Sequence, residues 1–234
     1  IINVSLIGGL RMTSSVEVLL REKLFFIALE RLIVLLFQVL HVLRIIPTAA
    51  IFLFFIGWLS LRLRKMNWSQ IGFSRPVNWA HTIGISIIAA ILFQMLSIGV
   101  LVPLIQKITN EPLDLSQFEQ LRSNWSLFIV ALIASWTYAA FVEELVYRGY
   151  LLNRFKDFFG NTNIGWLFGV IASSILFGFS HIYQGVSGIT ETFLSALVMS
   201  ALYFVGKRNL WIPILTHGIK DTIGFTLIFL GLYP

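Results

Sequence analysis

The chain contains no cysteine, which excludes disulfides and thiolate metal sites and leaves the redox compartment unread. Charge is scarce as well. Only 12% of the 234 residues are Asp, Glu, Lys or Arg, against about a quarter in soluble domains, so a soluble surface cannot be covered. Also missing is the alternation over segments of about ten residues that a membrane barrel would show. What is present is apolar: 57% hydrophobic and 15% aromatic residues, with a mean hydropathy of +0.85. The apolar stretches run to about twenty residues, the length that crosses a bilayer core of about 30 Å. The expected fold is all-α, a polytopic transmembrane bundle of seven to eight membrane helices.

The spans are expected near Leu24–Leu43, Ile45–Leu63, Thr82–Ile105, Trp125–Tyr147, Ile164–Ile182, Ile189–Val205 and Trp211–Leu232. The first two are nearly continuous around "LRIIPT", where Pro47 is the break. An amphipathic piece, "SSVEVLLREKL" (Ser14 to Leu24), reads as an interfacial helix or an extension of the first span. The chain opens on Ile1 rather than Met, which reads as a fragment or a processed end, with Met12 as a second candidate start. The segment before Met12 is too short and too poorly organised for a signal peptide. Residues 1–123 are expected to supply amino-terminal membrane helices and loops, and 124–234 a core that carries the chemistry, all within one membrane domain.

The formal net charge of +6 does not point to nucleic acid, because the Lys and Arg residues sit in short loops and follow membrane topology. Basic segments (Arg11, Arg21 and Lys23, then "LRLRKMNWSQIGFSRP", "RGYLLNRFKDFF" and "GKRN") alternate with connections carrying Arg44, Lys107, Arg122 and an acidic loop. The positive-inside rule then puts the amino terminus in the cytoplasm, and the compact inner loops suggest a bacterial plasma membrane.

An ionisable group inside a span costs a few kcal/mol and faces a bundle interior or a water-filled cavity. Three clusters in the carboxyl-terminal half fit this description: "EELVYR" (Glu143, Glu144, Arg148), "FGFSH" (Phe177, His181) and "HGIKD" (His217, Asp221). Each has i, i+4 spacing, which sets its two residues on one helix face. Glu144 and Arg148, acid first, form an intrahelical ion pair. Glu143 is about 100° away around the helix and is left unpaired, suited to a general base. A neutral His181 could share a water with it. His217 could donate to a developing oxyanion, with Asp221 one turn on fixing its tautomer. Taken singly, a Glu–Arg pair is more often glue between helices, and a lone His a satisfied polar contact. Glu30, Arg31, His41, His81 and Lys220 read as bystanders or interfacial groups.

The three clusters resemble the signature motifs E-E-x-x-x-R, F-x-x-x-H and H-x-x-x-N/D of the CPBP intramembrane protease family, which covers CAAX proteases and bacteriocin-processing enzymes of the Abi type. The phrase "WSQIGFSRP" (Trp68 to Pro76) is similar to a loop that precedes the core in that family. The resemblance extends from Asn124 to the carboxyl end. It implies an intramembrane endopeptidase related to the type II CAAX prenyl endopeptidase and to lysostaphin resistance protein A. Glu143 would activate water with His181 beside it, His217 and Asp221 would stand at the oxyanion end, and Glu144, Arg148 and Phe177 would brace the site. The substrate would be a membrane-associated peptide or protein. The prenyl proteases carry Asn where Asp221 stands, and an ionised Asp cannot donate to an oxyanion.

Members are often labelled metalloproteases, and Glu143, His181 and His217 would make a three-ligand zinc site with an open fourth position. The chain has no H-E-x-x-H helix, and a Glu143 that bound metal would leave the site without a base. Water activation without a cofactor is therefore favoured, with zinc as the alternative. On straight helices His181 falls about 25 Å along its span from Ile164, at a different depth from Glu143. A shared site requires the fourth helix to continue past Arg148, towards Phe159, and the fifth to tilt or break, with Gly169 and Gly178 as candidate bends. Two other classes compete: a non-catalytic partner, such as a bacteriocin-immunity or scaffolding protein, and a proton-coupled transporter.

Overall fold

The structure is a computed structural model that describes Phe25 and residues 28–233. The reading of Ser14–Leu24 as an interfacial helix, and the basic residues Arg11, Arg21 and Lys23, lie outside the described residues. The described residues form helices and turns and contain no strand. We label the helices α1 (28–42), α2 (Ala50–Leu63), α3 (Trp79–Thr109) and α4 (Trp125–Lys156). They are followed by α5 (Asn163–Phe179), α6 (Gly185–Val205) and α7 (Trp211–Phe229).

Three helical stretches, α3, α4 and Ile182–Val205, are long and apolar enough to cross a membrane. In α3 the burial pattern is that of a membrane helix. It buries Thr82, Ser86, Ala90, Phe93 and Gln94 while Ile83, Ile87, Ile88, Ile91, Leu92 and Met95 face outward. Polar and small residues inside, aliphatic residues outside, is what lipid as solvent selects. The second expected span shortens. Arg44 takes a left-handed φ of 58° and residues 43–49 turn, so α2 begins at Ala50. Its 14 residues reach about 21 Å.

The fourth helix carries the depth of the site. Asn124 caps it, its side-chain oxygen accepting from Leu127 N at 3.2 Å, and the helix continues to Lys156, nine residues beyond the expected Tyr147. Glu143 therefore stands about 20 Å along the helix from Lys156, at 1.5 Å per residue. On the antiparallel α5, which begins at Asn163, Phe179 lies about 24 Å from the start by the same rise. The extension thus brings Glu143 towards the depth of the α5 end, and Glu143 and His181 line one cavity. Within α4 two stretches, Ser135–Glu143 and Leu145–Leu151, are π-helical. Such wide i→i+5 turns are rare and concentrate at functional sites.

Of the two expectations for α5, a tilt or a break, the break is absent, for the helix runs unbroken from Asn163 to Phe179. Its glycines are points of close approach instead. A Cβ at Gly169 would stand 2.5 Å from the Leu152 carbonyl oxygen of α4, and one at Gly178 would stand 2.9 Å from the Ile189 carbonyl oxygen of α6. These contacts let α5 lie directly against both neighbours. On the other side α3 packs along α7, where Ser86 Oγ donates to the Ile212 carbonyl at 3.2 Å.

The Trp68–Pro76 loop closes one end. Trp68 stacks on Phe54 with ring centroids 5.3 Å apart. Gly72 adopts φ 110° beside the Tyr203 ring, a conformation glycine allows, and its carbonyl accepts from Leu210 N at 2.9 Å. The same end collects basic side chains: Arg62 and Arg64 close α2, and Lys156 and Arg208 both lie against the Trp166 ring.

Candidate active site

Glu143, Arg148, Phe177, His181, His217 and Asp221 line one cavity of about 340 Å³. Arg148 and Glu144 are almost wholly buried, 1% and 0% exposed, and pair at 2.9 Å through Nη1 and Oε1. The same Glu144 oxygen meets His217 Nδ1 at 2.9 Å. Phe177 lies between these groups: the Arg148 guanidinium sits 4.5 Å from its ring centroid, and the His181 and His217 rings stand 4.8 and 6.2 Å away. A cation over an aromatic face in a desolvated site is worth about 2 kcal/mol, so Phe177 helps to hold the buried guanidinium.

Glu143 differs from its neighbour. It is buried, yet it makes no hydrogen bond or ion pair with the described residues, and its Oε2 is enclosed without a partner. A polar group buried in that state is costly, which is a mark of function more than of architecture.

His181 lies just past the end of α5. The Phe177 carbonyl, one of the acceptors a helix leaves open at its carboxyl end, is reached by His181 Nδ1 at 3.0 Å. A carbonyl only accepts, so Nδ1 carries the proton and the neutral ring keeps an acceptor at Nε2. The Ser180 carbonyl accepts from His41 Nε2 at 2.8 Å. The Ser180 hydroxyl stands 2.6 Å from the Tyr147 hydroxyl, to which Gln38 Nε2 donates at 2.9 Å. His41, read from the sequence as a bystander, is thus part of the scaffold that seats His181.

The tautomer of His217 is set otherwise than expected. Glu144, not Asp221, meets Nδ1, while Asp221 Oδ2 stands 3.6 Å from Nε2 and accepts from Ser135 Oγ at 2.8 Å. Glu144 therefore links the arginine and the imidazole, a role that its i, i+4 spacing to Arg148 does not reveal. Two charged residues of the cavity went unused in the sequence reading. Glu191 of α6 accepts from Ser97 Oγ at 2.9 Å and Ser195 Oγ at 3.0 Å, and Lys220 Nζ lies 3.5 Å from it. Glu191 is the lone charge of an otherwise uncharged helix, a signal that intramembrane cost alone would have flagged. Glu30, read as a bystander or interfacial group, pairs with Arg64 at 2.6 Å at the basic end of the bundle.

A second cavity of about 470 Å³ lies between the 41–50 segment and α4, and it too reaches Glu143, His181, Tyr138 and Tyr183. Glu143 and His181 thus stand where two cavities meet. Among the described residues no group of three or more His, Asp or Glu side chains is gathered as a set of ligands for a metal ion. No step below is routed through one.

No curated protein and no solved structure matches the chain. The segment 124–223, which supplies every motif residue of the cavity, matches the family described as type II CAAX prenyl endopeptidase, Rce1-like.

Proposed function

We propose that the protein is an intramembrane endopeptidase in which Glu143 activates the attacking water. The observation that carries this reading is the unpaired, buried Glu143 at the junction of two cavities that His181 also lines. A peptide laid across the junction would have one flank in each cavity, with its scissile bond beside Glu143. Water held between Glu143 and His181 Nε2 gives a proton to the carboxylate, and its oxygen bonds to the peptide carbon. His217, with Nδ1–H on Glu144 and a second proton on Nε2, donates Nε2–H to the oxyanion. The C–N bond breaks as Glu143 passes its proton to the leaving amine.

In this scheme Asp221 positions His217, because its Oδ2 already accepts from Ser135 and faces the ring nitrogen. Glu144, Arg148 and Phe177 support the imidazole from behind. The substrate is a membrane-associated peptide or protein, and the basic end of the bundle is read as cytoplasmic, in a bacterial plasma membrane, by the positive-inside rule.

The test compares membranes holding the wild-type protein with membranes holding Glu143→Gln, mapping newly formed protein termini. Termini that appear only with the wild type are expected. Identical termini in both, with the variant folded and inserted, would remove the catalytic assignment.

A further inference from the structure

At the basic end of the bundle, apart from the motif residues, lies a third cavity of about 260 Å³. Its charged lining is Arg31, Arg64 and Arg154 with Glu30 and Asp157, and Tyr150 adds a hydroxyl. Three guanidinium groups face two carboxylates, and both carboxylates are already satisfied. Glu30 accepts from Ser60 and Tyr150, each at 2.5 Å, and from Arg64 through both oxygens at 3.2 and 2.6 Å. Asp157 takes Arg154 Nη1 and Lys156 Nζ, each at 3.1 Å.

Donors are left over. Arg154 Nε is enclosed without an acceptor. Arg31 lies with its guanidinium 3.2 Å from the Phe158 ring centroid and makes no hydrogen bond or ion pair among the described residues. Arg31 lies in the field of Glu30 and Asp157, yet its donors meet no acceptor among the described residues, and its planar fork matches the oxygens of phosphate.

We infer that this cavity binds a phosphate group, supplied by the headgroup of an anionic phospholipid. Arg31 would donate to the phosphate oxygens, the Arg154 guanidinium would add its charge from the cavity wall, and the Arg64–Glu30 pair would form the neutral back wall. The cavity is also walled by Val34 and Leu151, while Leu32, Leu35 and Leu36 of α1 are exposed beside it, giving acyl chains an apolar surface to follow. Anionic lipids of the cytoplasmic leaflet are drawn to basic segments of this kind.

The full-length protein in detergent would be titrated with phosphatidylglycerol, phosphatidylcholine and inorganic phosphate, with retained lipid read by native mass spectrometry and binding by thermal shift. Phosphatidylglycerol is expected to be retained and to raise Tm, and phosphatidylcholine is not. Arg31→Gln and Arg154→Gln should each weaken that retention about tenfold, the loss of a charge-assisted hydrogen bond, whereas Lys207→Gln at the same end should change it little. Inorganic phosphate acting with the same arginine dependence, and phosphatidylglycerol without effect, would keep the phosphate site and reject the lipid as its source. Binding unchanged in Arg31→Gln, which breaks no ion pair and so carries the test should Arg154→Gln fail to fold, would overturn the inference.

Discussion

His217 Nδ1 stands 2.9 Å from Glu144 Oε1, the same oxygen that takes Arg148 Nη1 at 2.9 Å. One carboxylate therefore anchors both an intrahelical pair on α4 and an imidazole on α7. Its neighbour Glu143, one residue away, has no hydrogen-bond or ion-pair partner among the described residues. The two glutamates should respond in opposite ways to the same substitution. Glu144→Gln leaves Arg148 buried without its counter-charge, a loss of about 3–5 kcal/mol, and should lower Tm and cleavage together. Glu143→Gln breaks no contact, so Tm should hold or rise while cleavage falls by a factor of about 10²–10⁴, the range of general base catalysis. Thermal unfolding and cleavage measured on both variants check the contrast.

Asp221 acts as an acceptor here, from Ser135 Oγ at 2.8 Å. An asparagine at this position keeps an accepting oxygen, so Asp221→Asn should retain most cleavage, and Asp221→Ala should lose about tenfold or more through misplacement of His217. If both variants were equally impaired, the charge of Asp221 rather than its accepting oxygen would be what the site needs. Cleavage rates of the two variants side by side decide it.

The close approach at Gly169 predicts a distant effect on the site. A Cβ there would stand 2.5 Å from the Leu152 carbonyl oxygen, so Gly169→Ala should push α5 off α4 at a cost of about 1–3 kcal/mol. His181, just past the end of α5, would shift with the helix. A fall in cleavage accompanied by a lowered Tm is expected, and a variant with wild-type Tm would show that the two helices can part freely.

Lys220 and Glu191 join α7 to α6 inside the cavity, 3.5 Å apart. Lys220→Met leaves Glu191 with only two hydroxyl donors, Ser97 and Ser195, and should destabilise strongly. The double variant Glu191→Gln with Lys220→Met should recover part of the loss, with a coupling energy of about 0.5–3 kcal/mol in the cycle. Strictly additive losses would mean that the two charges do not interact.

Much of this was legible in the sequence because membrane burial makes each charge conspicuous. The Glu144–Arg148 pair followed from i, i+4 spacing, and the unpaired state of Glu143 from the helical angle between neighbours. The partner of His217 was not legible, since Glu144 and His217 are 73 residues apart and meet only through the packing of α4 against α7. Intrahelical spacing favoured Asp221 instead, the nearer residue in sequence. The absence of a break in α5 has a related reason. Glycine signals either a change of backbone direction or a close neighbour, and only the position of α4 decides between them. The pairing of Lys220 is not legible either, since its partner Glu191 lies on another helix.

The wide turns of Ser135–Glu143 on α4 have one last bearing on the site. Ser135 holds Asp221 at one end of that stretch and Glu143 faces the cavities at the other. In a regular helix each residue turns the chain by about 100°, so removing one residue between them would re-clock everything on one side relative to the other. Every side chain of the site would survive such a deletion, and only their bearings would be lost. The segment thus works as a gauge of angle, and its length in residues is as much a part of the site as Glu143 itself.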